Sequence, residues 1–369
     1  MSDHTRERVP LGMGIAAAER LSREVAILAG RLATLLGQTS VAHEDSVAAG
    51  VAFLRSVAEP AAGERSLSER IAAGGHEITY PLDRIAGAFE LAPVEIDLLL
   101  LAGMAEEHEG FASLFRTLHP RSEPRPTAGL ATQLICTTAR ERLVMRELLS
   151  TGAAVRSGAL VLSDDAPFFE RTLTVADSLW AALGGVDLWP SGVRALASTA
   201  AMVGLSDWLA GADVARASAA LARGTPSLVL VAADDETIAM HRATALARHA
   251  GVPAVALATA TPARDEQERL VTLHATARGV VPIVRFSVAA DGAAADPPLF
   301  RDAPGPVIVC VREGAITVRG TRPVITVRAE RLSVRARGRS WSEAIPELAD
   351  AAPTFGARFS LDPHAVVEV

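Results

Sequence analysis

Residues 227–240 read SLVLVAADDETIAM, and this stretch decides the class of the second half of the chain. Its first five residues form an apolar run of strand length, and the residues from Thr237 to His249 have helical spacing. A charged helix is predicted over Arg264–Arg278. Further strands are predicted at Pro253–Leu257, Val280–Phe286, Pro306–Val311 and Val324–Val327. Alternating strands and helices indicate an α/β domain, with a parallel sheet and crossover helices, over residues 191–369.

The turn that follows the first of these strands is acidic. In a phosphate-binding fold this turn holds glycines, whose backbone N–H groups surround a phosphate, and then a lysine and a hydroxyl residue. Here the glycines and the lysine are missing, and the turn contains Asp234, Asp235 and Glu236. Because a helix N-terminus favours negative charge, the sequence predicts that these carboxylates cap a structural helix. The alternative is a metal site made by the three acids.

Two other strand ends lack the residues of an ATPase. The third strand ends in Arg285-Phe286, where an ATPase would place the acidic pair that holds magnesium. Asp291 lies further along the chain. The fourth strand ends in Arg312-Glu313, where a polar residue that senses the γ-phosphate would stand. The sequence therefore assigns no catalytic residue and no metal ligand.

Composition excludes several classes of protein. The chain has 369 residues and a net charge of −7, and all 36 of its basic residues are arginines. Without lysine, no Schiff base to pyridoxal phosphate can form and no lysine can bind a β/γ-phosphate. The negative charge and the aromatic content of 4% argue against nucleic acid as a partner.

Cysteine usage and hydropathy predict a cytoplasmic protein. The two cysteines, Cys136 and Cys310, are far apart in apolar runs and are interpreted as free core thiols. No apolar run reaches the ~18 residues of a membrane span. The first ten residues are charged and contain no apolar signal segment. We therefore expect no membrane partner.

The first half of the chain is predicted to be mainly helical. An N-terminal helical segment covers residues 1–75, with an apolar stripe at Ile15, Leu21, Val25, Leu28, Leu32 and Leu35. Residues 76–190 contain predicted helices at Pro81–Leu91, from Pro93, at Gly110–Leu118, Thr127–Leu134, Arg140–Leu149 and Leu173–Leu183. A hairpin is predicted within Ala154–Ser163, around Ser157-Gly158. Several short helices followed by a hairpin are the order of a winged helix.

Arginines cluster towards the end of the chain. Residues 312–339 contain eight arginines and two glutamates, and partial alternation in TVRAERLSVRARGR predicts a strand with arginines on one face. A solvated edge strand is one interpretation. The other is a contact face for an acidic partner or for a neighbouring subunit's nucleotide. The candidate interaction residues are Arg156, Arg312, Arg335, Arg337 and Arg339.

Pro81–Trp189 resembles a known family. The residues that carry the resemblance are Phe89, Leu91, Glu95 and Leu98–Leu101, then Glu106 and Glu107, and then Pro126-Thr127, Leu130 and Leu134. In this order they are similar to the N-terminal winged-helix region of AAA+ ATPases that are encoded with phage-tail-like contractile injection particles.

The resemblance extends over residues 195–369 to a degenerate AAA+ module. Aligning Ala243–Gly251 with a helix of that family places the lysine position near Ala239. Trp341–Ala357 resembles the helix that leads to the family's lid. The degenerate nucleotide-loop positions are then Ala233, Asp234, Asp235, Glu236, Thr237, Ala239 and Met240.

The resemblance also implies cofactors and partners. ATP and magnesium would be bound only by an active module outside this chain. The partners would be neighbouring AAA+ subunits in a ring-forming homo-oligomer, and components of the particle. Asp362-Pro363 is the start of a helix with only six residues after the proline, so we expect the chain to be part of a longer protein.

Together these observations predict a mainly α N-terminal part with a winged-helix-like unit, followed by an α/β P-loop-like (AAA+-like) parallel sheet domain. The expected function is partner recognition and subunit assembly, as a non-catalytic N-terminal region of the ATPase. One alternative is a winged-helix DNA-binding regulator that reads DNA with Arg140, Arg142 and Arg146. Another is a hydrolase that uses sheet-edge carboxylates, namely Asp234, Asp235, Glu236 and Asp291.

Overall fold

The computed structural model divides into two units, and the first is mostly helical. The first unit contains Met1–Ser191 with Thr276–Arg278, and the second contains Gly192–Ala275 and Gly279–Val369. The structure describes residues 11–39, 45–75, 77–197, 202–259, 265–285, 299–312 and 322–367.

The first unit begins with three helices: α1 (Leu11–Gly37), α2 (Asp45–Ala58) and α3 (Leu67–Ala72). The apolar stripe predicted for α1 is buried from Leu21 to Leu32, and α1 packs against α2 and the helix Pro93–Glu107. The prediction is wrong for Ile15, the first residue of the stripe, because its side chain is 60% exposed. The buried part of the stripe thus begins six residues later than the sequence predicts, at Leu21.

The rest of the first unit follows the predicted winged-helix order closely. Its helices are α4 (Pro81–Ala88), α5 (Pro93–Glu107), α6 (Glu109–Leu118), α7 (Ala128–Ile135), α8 (Ala139–Thr151), α9 (Ala153–Arg156) and α10 (Leu179–Leu183). Thr127 caps α7 as predicted, because its hydroxyl oxygen accepts the Leu130 N–H at 3.1 Å.

The hairpin is present, but its second strand is not where the sequence predicts it. Strands β1 (Leu160–Leu162) and β2 (Leu173–Val175) pair antiparallel. The prediction assigned 173–175 to a helix and the region before Ser157 to a strand. That region forms the single turn α9, which starts where the carboxylate of Glu95 accepts the Ala154 N–H at 2.9 Å. A buried carboxylate 59 residues away therefore selects helix over strand.

From β4 to β8 the second unit has its strands and helices at the predicted places. Its strands are β3 (Val193–Leu196), β4 (Leu228–Ala233), β5 (Ala254–Thr259), β6 (Val281–Arg285), β7 (Val307–Arg312) and β8 (Val324–Arg328). Its helices are α11 (Ser206–Leu209), α12 (Ala212–Ala222), α13 (Glu236–His249), α14 (Asp265–Arg278), α15 (Val334–Ala344), α16 (Ala352–Arg358) and α17 (Pro363–Val367).

The six strands form one sheet in the order β3-β5-β6-β7-β4-β8. Strands β5, β6, β7, β4 and β8 are parallel, as predicted. Strand β3 was not predicted, and it pairs antiparallel with β5 at one edge, so the sheet is mixed with mostly parallel strands. A single antiparallel edge strand is common on otherwise parallel sheets.

Strand β4 lies between β7 and the edge strand β8 and is buried along its whole length, which explains its continuous apolar sequence. Val229, Val231 and Ala233 project to one face and form a core with α12 and α13. The crossovers through α13 and α14 run in opposite directions across the sheet. Because such crossovers are right-handed as a rule, α14 is expected on the other face of the sheet.

The arginine-rich region is helical beyond residue 333, so the predicted strand is wrong there. Strand β8 ends at Arg328, and the hydroxyl of Ser333 accepts the Ala336 N–H to start α15. Helices α15 and α16 then approach closely at two glycines. A Cβ on Gly356 would lie 2.5 Å from the backbone nitrogen of Gly338, so only glycine fits there.

Within the described part of the chain, every helix is too short or too polar to cross a lipid bilayer.

Candidate functional site

The strand order marks one place in the second unit where doubly wound sheets bind ligands. The strand that follows β4 in sequence is β5, which lies towards one edge of the sheet. The strand that follows β7 is β8, which lies beyond β4 at the opposite edge. Ligands of such sheets bind outside the carboxyl ends of neighbouring strands whose connections diverge in this way. Here Ala233, the last residue of β4, pairs in register with Arg312 of β7. The acidic turn after Ala233 therefore lies at the topological switch point.

Asp235 caps α13 with its own carboxylate, as the sequence predicts. Its Oδ1 accepts the Thr237 N–H at 2.7 Å and the Ile238 N–H at 3.3 Å. Desolvation raises the pKa of the Asp235 carboxyl, but the hydrogen bonds from Thr237 and Ile238 lower it by more, and the pKa lies below its ordinary value. Helix N-terminal N–H groups of this kind bind phosphate in nucleotide-binding folds. In this chain they are occupied by a side-chain anion.

Asp234 and Glu236 turn away from Asp235 to separate arginines. The carboxylate of Asp234 accepts a hydrogen bond from Nε of Arg331 at 2.8 Å. The Oε2 of Glu236 lies 3.8 Å from Nε of Arg285. Since Asp234 and Glu236 face different arginines and Asp235 accepts the N–H groups of α13, the three carboxylates do not converge.

The described residues provide no further metal ligands to join the three acids at this turn. Among the residues that the structure describes, no group of three or more His, Cys, Asp or Glu side chains is arranged to hold a metal ion. In the described residues, the three acids thus do not form the cluster that the metal-site alternative requires. Phe286, Asp291 and Glu313, the other strand-end residues singled out in the sequence, lie outside the described residues.

Three of the degenerate loop positions are part of the hydrophobic core. Ala233 and Ala239 are fully buried and Met240 is 7% exposed, and all three pack in the core between the sheet and α13. Thr237 is exposed at the start of the helix. A lysine at position 239 would therefore extend from the buried side of α13 into the core, away from the helix N-terminus.

A buried ion pair that the sequence did not predict lies one turn further along α13. Arg242 is 1% exposed, and its guanidinium donates to both carboxylate oxygens of Asp362, at 3.0 and 2.5 Å. The ring of Trp208 lies 5.6 Å from the guanidinium carbon. The same carboxylate lies 3.0 Å from Nδ1 of His364, whose ring stacks on that of His241 at 4.2 Å. The segment before α17 is thus fixed to the first half of α13.

The four candidate interaction arginines of the second unit do not share one face. Arg312 is exposed at the end of β7, and Arg335 is exposed on α15. Arg337 donates to the carbonyl oxygens of Gly356 and Leu332, both at 2.9 Å. Arg339 pairs with the carboxylate of Asp207. At helical spacing these positions point in different directions, so the alternation that suggested a single face has no structural counterpart.

In the first unit, one side of α8 is exposed to solvent, and the segment that connects β1 to β2 packs beside this helix. Leu143 is 71% and Val144 48% exposed. The guanidinium carbon of Arg146 lies 4.6 Å from the ring centre of Phe168 and 5.4 Å from that of Phe169. Arg156, the fifth candidate arginine, donates to the Thr151 carbonyl at the end of α8. This surface combines large apolar side chains with arginines.

The connection between β1 and β2, which would be the wing, is acidic. It contains Asp164, Asp165 and Glu170. A hydrogen bond from the Arg121 guanidinium lowers the pKa of Asp165 to about 2, so this carboxylate is ionised at neutral pH. Its oxygens lie 2.7 and 3.3 Å from the guanidinium nitrogens.

Residues 20–178 match the family model described as "Winged helix domain, variant". The matched range contains α2 to α9 and both strands of the hairpin, together with most of α1. No curated protein and no solved structure matches the chain significantly. The comparisons therefore support a winged helix in the first unit.

Proposed function

We propose that this chain acts in partner recognition and subunit assembly as a non-catalytic region of an AAA+ ATPase, and that it does not hydrolyse ATP itself. One observation carries the second part of the proposal. The N–H groups at the start of α13, at the topological switch point, already bind the carboxylate of Asp235. A triphosphate would have to displace a covalently attached anion and would meet Asp234 and Glu236 on either side of it in sequence.

The winged-helix match supports the recognition role. Winged helices present one exposed helix and a hairpin, and α8 here exposes Leu143 and Val144 on that surface. Large exposed apolar side chains beside arginines are typical of protein interfaces. The association with a contractile injection particle rests on the resemblance over Pro81–Trp189. Under this proposal, ATP and magnesium belong to an active module of the assembly, and the other partners are neighbouring subunits and particle components.

Titration of ATP with magnesium into the full chain, followed by calorimetry, tests the nucleotide part. No heat of binding is expected up to about 1 mM nucleotide, the upper end of ordinary KM values. Saturable binding, or release of phosphate by the purified chain, would overturn the proposal. Sedimentation velocity tests the assembly part, because a ring requires species larger than a dimer.

A second candidate function is DNA binding by the winged helix. It is favoured by the winged-helix match and by Arg140, Arg142 and Arg146, all exposed on α8. The acidic wing opposes it, because Asp164, Asp165 and Glu170 would lie near the phosphates. Binding to random duplex DNA that weakens steeply with salt would support this candidate over protein recognition.

A further inference from the structure

Helix α8 is buried along one side only. Met145 and Leu149 are 2% and 1% exposed and anchor it in the first unit. On the opposite side, Arg140, Leu143, Val144 and Glu147 are all exposed. These four residues are spaced i, i+3, i+4 and i+7, so they lie on one face of the helix. We call this face the α8 stripe.

The α8 stripe is complementary to itself. If two copies of α8 cross antiparallel about a twofold axis between residues 143 and 144, position 140 lies opposite position 147, and position 143 lies opposite position 144. Arg140 then faces Glu147 of the second copy, and Leu143 faces Val144. Each pairing occurs twice, because a twofold interface is isologous.

The neighbouring charges of α8 are already engaged within the unit. The carboxylate of Glu141 accepts the N–H groups of Thr137 and Thr138, at 2.6 and 3.1 Å. Arg146 lies over the rings of Phe168 and Phe169. Arg142 is also exposed, but at 100° per residue it lies about 200° around the helix from Arg140 and so is outside the stripe. Arg140 and Glu147 are therefore the charged side chains of the stripe that set the register of an antiparallel pair.

We infer that the α8 stripe is a twofold self-association surface, and that its partner is a second copy of this chain. The inference rests on the proposed role of the winged helix in protein recognition, and it is independent of the nucleotide part of that proposal. The 13 residues of α8 span about 20 Å. One helix pair of that length buries less than the roughly 1,200 Å² of a stable standard interface, so the association is weak and concentration-dependent.

Duplex DNA fits the α8 stripe less well. Glu147 would approach the phosphates, and Leu143, at 71% exposure, would enter a groove lined by polar base edges. The acidic wing adds further repulsion. DNA binding through this face is therefore an outcome that would count against the inference.

Charge exchange in the full chain tests the pairing. Sedimentation equilibrium is run up to about 300 µM, where a Kd near 100 µM is measurable. R140E and E147R alone should each weaken association about tenfold, because each places two like-charged pairs in the interface. The double variant R140E/E147R should restore it. An equimolar mixture of R140E and E147R should also associate, since all four facing charges are then opposite.

The single variants R140E and E147R are expected to keep α8 helical. Position 140 is in the first turn of α8, where glutamate is favoured, and arginine at 147 is a good helix former. Circular dichroism and the thermal midpoint verify this. R116E, which reverses an exposed arginine on α6, is the matched control and should leave association unchanged. L143S should weaken association by removing the apolar centre.

Four results would overturn the inference. The first is a wild-type chain that stays monomeric over the whole concentration range. The second is a double variant, or a mixture, that associates no better than the single variants. The third is a monomer whose binding to random duplex DNA is lost in L143S. A chain that forms rings but is unaffected by R140E would also contradict the inference while leaving the proposed function intact.

Discussion

Arg242 on α13 and Asp362 before α17, separated by 120 residues in sequence, form a two-point ion pair in the interior of the second unit. The arginine side chain is 1% exposed and the aspartate side chain 11%. This pair fixes the segment before α17 to α13, the helix that follows β4. A buried guanidinium that loses its carboxylate keeps its charge without a counter-ion, which makes the pair sensitive to removal of either partner.

Asp362→Ala is therefore expected to lower the free energy of unfolding of the second unit by about 3–5 kcal/mol. Urea denaturation measures the loss. The matched control is Asp213→Ala, which removes the partner of an exposed pair with Arg216 and should change stability by less than about 1 kcal/mol. Equal effects of the two substitutions would show that the buried pair has no special role.

Asp235→Ala should cost about 0.5–2 kcal/mol, because it removes the N-cap of α13, whereas Asp235→Asn should retain most of the cap. The pH dependence separates charge from hydrogen bonding. Because the folded pKa of Asp235 lies below its ordinary value, its ionised form stabilises the fold above that value. This contribution is lost as the pH falls through the folded pKa. Acid titration of unfolding should show a smaller loss in Asp235→Asn than in the wild type.

Glu24 in α1 should give the opposite pH dependence. Burial raises its pKa above the ordinary 4.5, although its carboxylate accepts the Leu67 N–H at 2.7 Å and faces Arg20 and Arg70. A carboxyl with a raised folded pKa lowers the free energy of unfolding as the pH rises from 4.5 through the folded value. Glu24→Gln should remove that decrease in the first unit. A stability curve identical to that of the wild type across this range would contradict the assignment.

Arg337→Ser should destabilise the contact between α15 and α16 by about 1.5–3 kcal/mol, because it removes two charge-assisted hydrogen bonds to backbone carbonyls. Arg335→Ser, two residues earlier and exposed, should lie within about 0.5 kcal/mol of the wild type. Hydrogen exchange of the α16 amides distinguishes the two variants. If both behave alike, Arg337 is not a structural residue.

The sequence predicts elements best where one local pattern dominates. Strand β4 and helix α13 fall within two residues of their predicted bounds, because an apolar run and helical spacing determine them. The single turn α9 was missed because its start depends on Glu95, which is 59 residues away. The prediction of an arginine-rich strand was wrong because the Ser333 cap and the Gly338–Gly356 contact favour a helix there.

At the candidate site, too, the sequence predicts the local contacts but not the long-range ones. The cap at Asp235 was predictable, since it acts over two and three residues of chain. The arginine partners of Asp234 and Glu236 were not, because Arg331 and Arg285 come from distant strand ends. The α8 stripe was visible only in part: the sequence shows the arginines, whereas the exposure of Leu143 depends on which side of the helix packs inward.

The cap at Asp235 also determines how the second unit responds to its surroundings. A domain that must bind a free anion at such a helix end becomes more stable as the ligand concentration rises, by mass action. Here the anion is part of the polypeptide and is present at every concentration. If the chain binds no nucleotide, as proposed, the melting temperature of this unit should not change with the concentration of ATP.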